Sequence, residues 1–114
     1  MALRVIDEIS KVGRDVNELC KQIEGRDREL ASQIRRAWVR AGMNAGEAQH
    51  RRGAKGQNRF DDAMGEAREA FTGLGMARAF EYVDDALCSN VIAKVDGVVA
   101  VLYVLAHKPP RRPR

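Results

Sequence analysis

Aromatic residues are scarce in this 114-residue chain, with one tryptophan, two tyrosines and three phenylalanines. There are two cysteines, Cys20 and Cys88, far apart and outside any CxxC pair. Neither has a histidine nearby, so the pair predicts small buried hydrophobes rather than a metal site or a disulfide framework. No apolar run reaches the roughly 18 to 20 residues of a membrane span. The start, MALRVIDEIS, lacks the basic opening, apolar segment and small-residue cleavage site of a secretory signal. A cytoplasmic protein is the expectation.

Hydrophobic residues make up 45% and charged residues 32%, the balance of a soluble globular chain with one modest core. The net charge of +4 is unevenly spread. Residues 1–25 carry −1, residues 26–59 carry +6, residues 60–107 carry −5, and the tail 108–114, KPPRRPR, carries +4. The folded part is neutral but polarised, and the tail holds the excess.

Periodicity predicts four helices, near 3–24, 27–52, 57–81 and 85–107. Val5, Ile9, Val12, Val16, Leu19 and Ile23 alternate steps of four and three, the pattern of a helix stripe rather than a strand. A second stripe runs Leu30, Ile34, Ala37 or Trp38, Ala41, Ala45 and Ala48; a third runs Phe60, Met64, Ala67, Phe71 and Leu74. Gly53 and Gly56 are the expected cap and turn between them. The fourth segment contains VVAVLYV, which by propensity alone suits a strand. A lone strand among three helices has no partner, so helix is the reading, with Asp84 or Asp85 as N-cap and Leu87, Val91, Val95, Val98, Leu102 and Leu105 as stripe. Val99, Val101 and Val104 fall outside that stripe. Their excess predicts burial against another subunit, with an ordinary wide core contact as the alternative.

The stretch NAGEAQHRRGAKGQNRF, residues 44–60, bears on function. A phosphate-binding loop needs GxxxxGK[ST] after a strand, which this lacks. Glu47 and His50 make one ExxH pair, but a di-iron bundle needs two such pairs with further glutamates, and His107 supplies no second. No serine, cysteine or threonine shows a base and an orienting partner. The expectation is a protein without catalysis, cofactor or metal.

The segment SQIRRAWVRAGMNAGEA, Ser32 to Ala48, resembles the signature of the bacterial four-helix-bundle protein family. That family includes proteins encoded by intervening sequences in large-subunit ribosomal RNA genes. It looks related to the accessory variability proteins of diversity-generating retroelements. The matching positions are Ser32, Gln33, Ile34, Arg35, Arg36, Ala37, Val39, Asn44 and Glu47, then Ala63, Met64, Gly65 and Glu69 in the third helix. Gly42 stands where the family has proline and Ala48 where it has glycine, and PPRRPR lies outside the pattern. The resemblance implies an antiparallel, up-and-down four-helix bundle (all-α) over residues 1–107 that assembles into a ring, commonly a pentamer, without established catalysis. It also implies a reverse transcriptase and nucleic acid as partners.

Two functional readings follow. In the first, Arg36, Arg40, Arg51, Arg52, Lys55 and Arg59, with Lys108, Arg111, Arg112 and Arg114 of the tail, contact the phosphates of RNA or DNA. Tyrosine and tryptophan do not interleave with this block, so recognition by charge and shape is expected rather than base stacking. In the second, the protein is an interaction scaffold. Its basic block, including Arg35, then pairs with Asp61, Asp62, Glu66 and Glu69, or a +6 segment faces the −5 segment of the next subunit.

Overall fold

A computed structural model describes residues 2–107, and the basic tail expected at 108–114 lies outside the described residues. Among them there are four helices and no strand: α1 (Ala2–Glu24), α2 (Arg28–Gln49), α3 (Gly53–Ala79) and α4 (Asp85–His107). The connections, 25–27, 50–52 and 80–84, are too short for anything but antiparallel neighbours. Packing follows chain order, α1 on α2, α2 on α3, α3 on α4, and α4 back on α1.

Local chemistry places each boundary. The Asp27 carboxylate accepts a hydrogen bond from the Leu30 amide at 2.9 Å and starts α2. Asp84 does the same for the Leu87 amide at 2.8 Å and starts α4. α3 ends in paired backbone bonds, Tyr82 N–H to Ala77 O and Glu81 N–H to Arg78 O, the closure usually made by a left-handed glycine. Here Glu81 occupies that position at φ 59°.

The GAKG segment differs from expectation. It is the first turn of α3 rather than the loop before it, so α3 starts at Gly53 instead of 57 and α2 stops at Gln49 instead of 52. Gly53 reverses the chain at φ +59°, and at Gly56 a Cβ would lie 2.8 Å from the Arg51 carbonyl oxygen. Both glycines permit a helix to restart almost at once.

The α1 stripe is buried throughout. In α3 the inward positions are Phe60, Ala63, Met64, Ala67, Ala70, Leu74 and Ala77, and Phe71 lies outside at 37% exposure. The inward line runs through Ala67, Ala70 and Leu74, one position off Phe71, while Gly73 on the opposite flank faces α2 so closely that a Cβ there would come within 2.6 Å of Ile34 Cγ1. In α4, Cys88 replaces Leu87 as the first core residue. Val99, expected on an outward flank, is only 9% exposed and belongs to the core of this chain. Trp38 lies against α1 with its indole N–H donating to the Ile9 carbonyl at 2.9 Å, so its polar end is satisfied inside the core.

α4 is, by length and composition, apolar enough to cross a membrane, although no single uncharged run in it reaches that length. A third of its most apolar window is buried in the bundle. It is tied to α1 by Lys94–Asp15 at 2.9 Å and by the Asp84 amide donating to Gln22 Oε1 at 3.0 Å. One face of α4 is thus packed on the bundle and the other is exposed.

Candidate nucleic-acid interface

The expected basic block divides into two groups. Arg36 and Arg40 project from the outer face of α2, one turn apart, with exposed Val39 and Met43 between and beyond them. Arg51, Arg52, Lys55 and Arg59 gather at the α2–α3 turn. Because α4 runs antiparallel to α3, its last described residue, His107, lies at the same end of the bundle as that turn. The tail residues Lys108, Arg111, Arg112 and Arg114 follow from there and lie outside the described residues.

Ion pairing takes up part of the block, and of the expected partners only Asp62 takes part among the described residues. Arg51 donates to Glu47 Oε1 from Nε at 3.0 Å and from Nη2 at 2.7 Å, one turn back on α2. Those bonds, with the Arg51 charge, hold the Glu47 carboxyl below its usual range. Arg59 reaches Asn44 Oδ1 at 3.3 Å and Asp62 at 3.9 Å. Arg35 pairs with Glu24 of α1 at 2.6 Å and donates to Asn17 Oδ1 at 2.9 Å, clamping α1 to α2. Of the expected acidic residues, Asp61, Glu66 and Glu69 pair with none of these arginines among the described residues. For Arg36, Arg40, Arg52 and Lys55, no carboxylate lies within pairing distance among the described residues. A shallow cleft of about 230 Å³ opens at the turn, lined by Arg51, Lys55, Asn58, Arg59 and Asp62.

The Glu47–His50 pair is not built as a metal half-site, since Glu47 is engaged by Arg51 and His50 is exposed. His107 stacks on Tyr103 with ring centroids 4.1 Å apart. Among the described residues no three His, Cys, Asp or Glu side chains converge. Cys20 and Cys88 are free and buried; burial raises the Cys20 thiol to about 11 and pushes Cys88 upward too. Burial thus disfavours the thiolate at both positions.

Of the expected interface valines, Val101 and Val104 are outward at 36% and 52%, whereas Val99 is not available. The sequence reading missed Val39 and Met43, the most exposed large apolar pair on α2 at 59% and 69%. Their spacing of four, off the alanine stripe and next to Arg36 and Arg40, is the signal that marks them.

No family model matches the chain, and no curated protein matches it. A solved structure does: a protein with unknown function from the S23 ribosomal protein family of Bacteroides thetaiotaomicron VPI-5482, at 1.70 Å resolution. The two superpose with a TM-score of 0.81 over 91% of this chain and 99% of that one, at 20% identity. At that identity the chain is similar to it in fold.

Proposed function

We propose that this chain is a non-enzymatic, homo-oligomeric accessory protein that binds nucleic acid through the basic end of its bundle. The observation that carries the reading is the convergence at one end of the α2–α3 turn and the root of the basic tail. Arg52 and Lys55 there lack a carboxylate partner among the described residues, which leaves their charge free for phosphate. Deleting residues 108–114 tests it. Anisotropy of labelled RNA and duplex DNA against salt should show a steep loss of affinity for the full chain and a shallower slope for the deletion. Equal slopes would contradict the role of the tail.

In this proposal the oligomer is a ring, with five subunits the number implied by the family resemblance. Linked copies would present several basic ends together and raise the effective concentration of weak sites. The proposed setting is the cytoplasm, and a reverse transcriptase or other polymerase is the protein partner to test by co-purification.

A second reading, a scaffold without nucleic-acid binding, is favoured by the ion pairs of Arg35 and Arg51. These two arginines serve the bundle itself. Failure of the full chain to retain either RNA or DNA at low salt would select it.

A further inference from the structure

Two exposed apolar surfaces lie on diagonally placed helices of the bundle. One is the outer ridge of α2, where Val39 and Met43 border a groove against α1 lined by Ile6, Ile9 and Gly13. The other is the outer face of α4, where Val101 and Val104 stand beside exposed Ala93, Gly97 and Ala100. It adjoins an apolar cleft of about 510 Å³ against α1. A Cβ built on Gly97 meets nothing within 4 Å, so a neighbouring helix has room to approach closely.

We propose that these surfaces dock on one another between copies of this chain, the α2 ridge of one against the α4 face of the next, and that Arg36 and Arg40 serve this contact rather than nucleic acid. The inference rests on the homo-oligomer reading above and names its interface. Two observations select the occupant. The charges complement: Arg36 and Arg40 flank Val39 and Met43, whereas Glu8 lines the α4 cleft and Asp96 is exposed on α4. None of these four has an oppositely charged group within pairing distance among the described residues. The cleft's other charges are Lys94, already paired with Asp15, and Arg4, which offsets Glu8 and leaves Asp96 as the uncompensated anion of this face.

The levels also agree. The α2 groove sits beside α1 residues 6–13 and the α4 cleft beside residues 4–8. Their midpoints differ by about four residues, or ~6 Å at 1.5 Å per residue. A rotation about an axis nearly parallel to the helices then brings ridge to face with little rise, the condition for a closed ring rather than a filament. A two-fold contact through either surface alone would leave the other in water. A further consequence is that every basic turn and tail root lies on the same side of the assembly.

Cysteine cross-linking of the full chain tests the pairing. The positions are exposed, and the native cysteines are fully buried. Met43→Cys with Val104→Cys in one chain should give a ladder of dimer, trimer and larger species under mild oxidation. Each single variant should stay uncrosslinked, and an equimolar mixture of the two should stop at dimers. Dimers from Val104→Cys alone would overturn the proposal in favour of a two-fold α4 contact. An oligomeric mass by light scattering with no ladder from the double variant would overturn it while leaving the oligomer reading intact. A monomeric wild-type mass would overturn both.

Discussion

Glu81 is the residue most at odds with its backbone. It closes α3 in the left-handed region, where a side chain costs about 1–2 kcal/mol and glycine costs nothing. Glu81→Gly should therefore stabilise the protein by about 1 kcal/mol in urea unfolding, less the flexibility gained by the unfolded chain. The opposite effect belongs to Gly73, whose Cβ would fall within 2.6 Å of Ile34 Cγ1. Gly73→Ala should destabilise by about 1–3 kcal/mol, as overpacking does in close-packed cores. Charge makes a third prediction. The Arg78 guanidinium, bonded at 2.7 Å, holds the Asp85 carboxyl below its usual range, as Arg51 holds Glu47. A depressed folded pKa stabilises above the unfolded value and loses that contribution as pH falls towards the folded one. The melting-temperature gap between wild type and Asp85→Asn should thus be present at pH 7 and narrow below about pH 4. A gap that widens in acid would contradict the pairing.

At the scale of the element, the number, order and type of helices were legible, and the reasons differ between them. α1 has large aliphatic residues at every inward position, so its period was unambiguous and all six predicted positions are buried. α3 carries alanine on much of its inner face, and alanine reports little about which way it points. Phe71 was the louder signal and misled, because the buried line passes through Ala67, Ala70 and Leu74 and leaves the ring at its edge. The same limit hid the division of the basic block. Arg36, Arg40, Arg51 and Arg52 look continuous in sequence, yet helix geometry sends the first two sideways along α2 and the last two to the bundle end. Trp38 offers a check on the α1–α2 contact. Trp38→Phe should cost about 1 kcal/mol for the lost bond to the Ile9 carbonyl, plus the packing of the smaller ring.

In the whole molecule, an antiparallel four-helix bundle carries a basic end where Arg52 and Lys55 have no carboxylate partner among the described residues. The measurement that tests the proposal most directly is RNA and duplex-DNA binding by full-length protein carrying Arg52→Glu and Lys55→Glu, with its mass followed in parallel. Neither residue pairs within the described chain, so fold and assembly should be unchanged. The account predicts at least a tenfold loss of affinity at low salt with the oligomeric mass retained. Undiminished affinity, or dissociation of the oligomer, would contradict it.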